Sequence, residues 1–413
     1  MGSKRGHHDV IVVGAGAAGL ACAFDIAAAG QDVRVLEASD AVGGRMRTDH
    51  RDGFLLDRGF QVLNTSYPQL RRRASLPALR LRPFTPSVLS HTRHGRLRYG
   101  DPSRRPRDLP RLARPGRHAL RDGAGLAAVS LFSALAPPRA LRARTERTTS
   151  EELGRRGITG DLLENFLHPF LSGVFLDDRL ETSSRVFHMV WRSFLRGTVT
   201  LPAAGIGAVP AHLASLLPPG TVRFDHPVRE LTATGVLSAD GRELDAPAVV
   251  VATEAETAAR LLPHLTVPPT RTVCTYYYAA PDSPLREPTL LLDARRRFLH
   301  TCVPSQVVPG YAPRGHALVC ASVLGTHTRQ RALALREALA EAYETDTSRW
   351  EEIARYSIPG ALPAMVPPWP LSRTGRAGAG RYVCGDHRAT GSVQGALASG
   401  ARAAREVLAS GLR

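Results

Sequence analysis

A run of closely spaced glycines lies between two short apolar stretches near the start of the chain. Val10 to Val13 is uninterrupted Val and Ile, and it reads as a strand buried on both faces. Gly14, Gly16 and Gly19 follow at G-x-G-x-x-G spacing, and Ala17 to Ala29 supplies small residues for a helix packed tightly on a sheet. Gly30 is placed to end that helix, and Val33 to Leu36 reads as a second strand running into Glu37 and Ala38. Each glycine has a physical reason. Gly14 permits the tight turn, Gly16 lets a pyrophosphate approach the backbone, and Gly19 lets helix and strand close up. The helix start offers free N–H groups and a positive dipole end to phosphate. Glu37 stands at the spacing of a carboxylate that bonds ribose hydroxyls. The pattern predicts a βαβ unit that holds a dinucleotide.

Gly43, Gly44 and Arg45 come soon after, adding backbone N–H groups and a cation near the same pyrophosphate. This combination resembles the FAD-binding fingerprint of the flavin amine oxidase and phytoene-desaturase-like flavoproteins, and differs from nicotinamide dehydrogenases. The far end of the chain carries a matching signal. Arg381 to Asp386 reads as a strand ending in Gly385-Asp386, and Gly391-Ser392-Val393-Gln394-Gly395 opens a helix to about Leu408.

The resemblance implies an α/β fold: a Rossmann-type FAD-binding domain of the amine-oxidase kind with a discontinuous α+β substrate domain. It divides the chain into 1–65, 200–265 and 373–413 for the cofactor, and 66–199 and 266–372 for the substrate. It implies non-covalently held FAD, with Cys384 ending a buried strand. Asp386 is expected on the ribitol hydroxyls, and the backbone of Val228 on the adenine. The helix start at Ser392, Val393 and Gln394 is expected at flavin N1 and the C2 carbonyl, where hydride arrival leaves negative charge. The segment Gly53 to Asn64 is expected to run past the flavin ring, bringing Gly59, Phe60 and Gln61 close to it. A plain strand and turn is the alternative for Phe60 and Gln61, and a structural hydrogen bond is the reading for Asp57.

Between these ends the pattern changes. Residues 71–123 are rich in Arg and Pro, and helices are expected over 123–144, from Ser150 with Thr149 or Ser150 as cap, over 161–167 and over 183–195. The run Phe166 to Phe175 resembles the helical substrate-domain segment of phytoene-desaturase-like proteins. Trp191 and Phe194 read as core, and His168 as a structural histidine. Short strands are expected from Thr221 to Leu244 and a strongly apolar one from Ala246 to Thr253. Strands around Val273–Ala279, Thr289–Leu292, Leu299–Val303 and Ala317–Val323 then precede a helix over Thr328–Tyr343. Trp350 to Pro370 reads as a proline-rich return to the cofactor.

The chain has 413 residues and a formal charge of +17, and Lys4 is its single lysine. Arg71 to Asp122 contains fifteen arginines and three aspartates. That segment lacks aromatic interleaving and any recognised module, so a solvated surface is favoured over nucleic-acid binding, with peripheral membrane contact as a further expectation. The five cysteines form no C-x-x-C, the first eight residues have no apolar core, and no apolar run is long enough to span a membrane. Reduced thiols in a cytoplasmic protein are expected, with no metal site. The sequence sets no oligomeric state.

The chemistry expected is hydride abstraction from a C–H bond of a small, mainly apolar organic substrate, with reoxidation by oxygen or a quinone-like acceptor. A single dinucleotide fingerprint argues against a nicotinamide reductant. Many amine oxidases of the resembled superfamily keep an active-site lysine; Lys4 precedes the first strand, which shifts the reading towards a desaturase or oxidase of apolar compounds. A flavin amine oxidase and a flavin-dependent isomerase remain the alternatives. His387, directly after Asp386, is the first candidate for acid–base help, with Gln61 and His300 behind it and Phe60 as a ring-side residue.

Overall fold

The structure is a computed structural model describing residues 8–100 and 119–411. Lys4 and residues 101–118, the middle of the arginine-rich stretch, lie outside the described residues. The first sheet orders its strands Val222–Arg223, Val33–Leu36, Val10–Val13, Ala248–Val251, Arg381–Val383 and Arg376–Gly378. All neighbours run parallel except the last pair, an antiparallel hairpin. The central strands are apolar throughout because both faces are covered. One face packs under the helices Ala17–Ala28 and Val393–Leu408; the other meets a three-stranded sheet (Val228–Leu231, Gly235–Ser238, Glu243–Asp245) and the helix Ala255–Leu261.

The two helices cross at near-backbone contact. A methyl group on Gly400 would overlap the Ala18 carbonyl oxygen, and one on Gly19 would overlap the Gly14 carbonyl oxygen. The small residues on this helix are therefore a steric requirement, as the spacing anticipated. Gly30 follows the helix with φ +81°, and Ala29 is the capping residue itself.

The second sheet has seven strands in the order Glu351–Pro363, Thr270–Ala280, Ala317–Leu324, His300–Cys302, Leu290–Asp293, Ser87–Thr92 and Gly95–Gly100. Pairing is antiparallel except between Leu290–Asp293 and Ser87–Thr92. Tyr276, Tyr277 and Tyr278 are all buried in it. Tyr276 and Tyr278 pack towards the helix Arg329–Tyr343, whereas Tyr277 faces the first sheet's side and donates to the Asp57 carbonyl at 2.8 Å. Three strands were not anticipated: Ser87–Thr92, Gly95–Gly100 and Glu351–Pro363. The last occupies the segment expected as a simple proline-rich return. As an edge strand it tolerates Pro359 and Pro363.

Helices Ala119–Leu135, Pro138–Ala143, Thr149–Arg155, His168–Phe175 and Ser184–Arg196 enclose a third core, containing Leu167, Phe187 and Trp191 with Phe194 at its edge. The expected 123–144 helix is broken at Pro137, where the ring and missing N–H end the ladder. The cap of the next helix is Thr148, one residue before the expected pair, in a capping box with Glu151. All five cysteines are buried. Among the described residues no helix is long and apolar enough to cross a membrane.

Candidate active site

The two glycine turns meet face to face. Gly14 has φ +106°, and its N–H donates to the Leu36 carbonyl at 2.8 Å. Gly43 donates to the Ala15 carbonyl at 2.9 Å, forming a bridge with Gly16. A Cβ on Gly44 would stand 3.7 Å from the Gly16 Cα, whereas one on Gly16 itself would meet nothing within 4 Å. Open space therefore lies over the start of the first helix, where four N–H groups lack intrahelical partners.

The buried Glu37 carboxylate is fixed at this turn. Ala15 N–H donates to Oε2 at 2.7 Å, and Ser39 N–H and Oγ donate to Oε1 at 2.9 and 2.7 Å. Oε1 is fully used, and Oε2 keeps a lone pair for a ribose hydroxyl. Ala38 is exposed beside it. The His226 N–H donates to the Glu37 carbonyl at 2.9 Å, which brings the buried Val228 and its strand to this end of the turn.

Across the same opening, Arg45 and Asp386 join. Arg45 Nη2 donates to Asp386 Oδ1 at 2.7 Å, and Nη1 donates to the carbonyls of Ala361 and Gly360 at 2.6 and 3.1 Å. The attraction of Asp386 raises the Arg45 pKa and holds it charged. Gly385 has no side chain because the His387 ring folds back over that position. His387 is 1% exposed, and neither ring nitrogen has a hydrogen-bond partner among the described residues. Burial pushes its pKa down to about 4; Asp386 opposes this, while Arg388, Arg45 and Arg373 reinforce it. The imidazole is thus neutral at neutral pH. A cleft is lined by Arg45, Glu254, Thr270, Gly360, Asp386 and His387.

The closing helix packs against the Asp386–Arg388 turn that lines this cleft. Ser392 caps it by accepting from Gly395 N–H at 3.0 Å, leaving the first-turn N–H groups of Val393 and Gln394 at its open end. The Gln394 side chain is engaged elsewhere, its Oε1 accepting from Gln69 N–H at 2.9 Å.

Phe60 and Gln61 separate in role. Gln61 Nε2 donates to the Arg45 carbonyl at 2.7 Å, so its side chain braces the Arg45 loop and does not project as a free acid–base group. Phe60 packs against Phe84 and lies 4.6 Å, centroid to centroid, from His300. His300 is buried, its Nε2 has no partner among the described residues, and burial pushes its pKa to about 4. Gly59 carries the side chain of Ile358, from the edge strand Glu351–Pro363, over the place a Cβ would take. Asp57 is structural, as read from the sequence: Oδ1 accepts from Thr48 Oγ1 at 2.6 Å and Ile206 N–H at 2.9 Å, and Oδ2 from Tyr311 at 3.0 Å. His168 is likewise internal, 3.3 Å from Ser172 Oγ.

Sequence reasoning did not find Glu254, Thr270 or Gly360. Glu254 had a usable signal, since it follows the carboxyl end of Ala248–Val251, the strand beside Val10–Val13, where α/β sheets place their ligands. Gly360 and Thr270 had none. They reach the cleft only because an unanticipated edge strand pairs there, Thr270 opposite Pro363.

The residues suit a dinucleotide with a flavin. Twin glycine turns leave open space, a cation stands at the pyrophosphate side, and a buried imidazole faces the cleft without a hydrogen-bond partner among the described residues. Comparison with known proteins agrees. Residues 17–408 match the family described as flavin containing amine oxidoreductase. The chain belongs to this family of flavin-containing oxidoreductases. A putrescine oxidase of Kocuria rosea is 48% identical over 71 residues, 17% of this chain and 15% of that protein. An L-amino-acid oxidase of Crotalus adamanteus is 41% identical over 76 residues, 18% of this chain and 15% of its own. The chain thus matches about one seventh of the length of these curated relatives. Over the whole fold, a putative protoporphyrinogen oxidase from Exiguobacterium superposes with TM-score 0.72 at 18% identity, covering 99% of this chain and 100% of the other. Cyclohexylamine oxidase from Brevibacterium oxydans gives 0.72 at 17%, covering 98% and 99%.

Proposed function

We propose that the protein oxidises a largely apolar organic substrate by taking hydride from one of its C–H bonds. The observation that carries this reading is the set of groups around Phe60. Phe84 and an uncharged His300 flank it, with Val62, Tyr277 and Leu201 in the same cluster. The carboxylate nearest in sequence, Asp57, is turned away with both oxygens occupied. An ammonium substrate would find no anion there to offset its desolvation.

Bound FAD supplies the hydride acceptor. In this reading the twin glycine turns, Glu37 and Arg45 hold its dinucleotide part, and Asp386 with the Val393 and Gln394 N–H groups orients the flavin end. The cofactor part is drawn from 1–65, 200–265 and 373–413, and the substrate part from 66–199 and 266–372. Phe60 and His300 exclude water and seat the apolar substrate. Oxygen or a quinone-like compound takes the electrons onward.

A second reading, oxidation of an amine, is favoured by the local identity to putrescine and L-amino-acid oxidases. Anaerobic mixing of the holoprotein with substrate panels separates the two. Bleaching of the flavin by alicyclic or polyene compounds, and not by diamines or L-amino acids, is expected. Bleaching by amines alone would replace the proposal with the amine reading.

A further inference from the structure

We propose that His387 holds the cofactor, donating a ring N–H to an oxygen of bound FAD, and that it is not a base for the substrate. The argument starts from an unmet requirement. A buried imidazole has a donor and an acceptor to satisfy, and leaving them unmade is costly. Both ring nitrogens of His387 lack a partner among the described residues although the ring is 1% exposed. The ring lines the Arg45–Asp386 cleft, on the cofactor side. The Phe60–His300 cluster does not include it. Its place is built. The absent side chain of Gly385 makes room for the ring, the His387 N–H donates to Asp386 Oδ1 at 3.0 Å, and Arg373 donates to the His387 carbonyl at 3.0 Å.

The inference has a consequence for pH. Facing the ring are Asp386 and Arg388 on its own segment, Arg45 from the glycine loop, Arg373 from the preceding strand connection, and Glu254 and Glu256 across the cleft. Burial, reinforced by the three arginines against Asp386, keeps the free ring neutral. An anionic ligand beside it reverses that balance, so FAD binding takes up a proton at His387. Affinity for FAD then falls as pH rises, by up to about tenfold per pH unit between the free and bound titrations.

The test is serial dilution of the holoprotein from pH 5 to 8.5, with released FAD read by its fluorescence. Wild type is expected to show the slope. H387F keeps the volume and loses both nitrogens; its Kd should rise about tenfold with the slope gone. H387Q keeps a donor and cannot titrate; its Kd should return to within about threefold of wild type, still without the slope. Thermal melts confirm folding, and if H387F does not fold, H387Q decides alone. A slope in H387Q equal to that of wild type, or no slope in wild type, overturns the proposal. The outcome is independent of which substrate is oxidised.

Discussion

Arg45 and Asp386 are 341 residues apart in sequence and 2.7 Å apart in the fold. Arg45 closes the second glycine turn, and Asp386 opens the single helical turn Asp386–Arg388 that follows the last strand of the parallel array, Arg381–Val383. The same guanidinium also ties down the Gly360 and Ala361 carbonyls, so it fastens the edge of the second sheet to the first. Arg45→Met removes three hydrogen bonds and a cation. FAD retention should fall at least about tenfold, since hydrogen bonds to charged groups contribute about 1.5–3 kcal/mol each. The flavin-to-protein absorbance ratio after gel filtration measures it.

Gly16 and Gly19 should fail differently. Gly16 has φ −73°, and a methyl there meets open space, so Gly16→Ala should fold with an unchanged melting temperature. The methyl would instead fill the space over the helix start, and FAD should be lost. Gly19→Ala overlaps the Gly14 carbonyl and should cost about 1–3 kcal/mol of stability. Thermal melts with and without added FAD separate the two effects.

Asp57 gives a pH signature. Burial raises its pKa to about 6, against the opposing hydrogen bonds of Thr48, Ile206 and Tyr311. A carboxyl raised in the folded state is most stabilising while protonated. Its contribution is full below the unfolded pKa of about 3.9 and is lost as pH rises through about 6, a difference of about 3 kcal/mol. Asp57→Asn cannot ionise. Urea unfolding at pH 4.5 and pH 7 should show wild type losing stability relative to this variant across the interval; parallel behaviour would refute the assignment.

Glu152 should behave in the opposite sense. It is buried with Arg144 at 2.5 Å, Arg156 at 3.3 Å and His188 at 3.4 Å. Burial opposes its ionisation, but His188 and the two arginines prevail and hold its pKa at about 2. Its contribution is present above the unfolded pKa and is lost as pH falls towards about 2. Glu152→Ala strands the two arginines and should cost about 3–5 kcal/mol at pH 7, read by denaturant midpoint.

The cofactor frame was legible because its requirements are local. Gly14, Gly16, Gly19 and Glu37 are fixed by contacts within one βαβ unit, and Gly385-Asp386 by one strand end. The second sheet was half legible. Its inner strands are apolar runs, such as Ala317–Leu324, but both edges escaped notice. Gly95–Gly100 is half-buried at every position, and Glu351–Pro363 is mostly exposed on alternate residues. Edge strands carry charge and proline because only one side is paired. The side chains of Gln61 and Gln394 were also opaque. Their partners, the Arg45 carbonyl and the Gln69 N–H, are backbone groups that spacing does not reveal.

The contact of the helices Ala17–Ala28 and Val393–Leu408 bears on how the chain is made. The first helix's covering partner leaves the ribosome long after the helix itself. Until then the nascent βαβ unit exposes the apolar surface that Leu397, Ala403 and Val407 later cover. Folding of the cofactor unit is therefore completed only once Val393–Leu408 has emerged, and FAD capture waits for that segment.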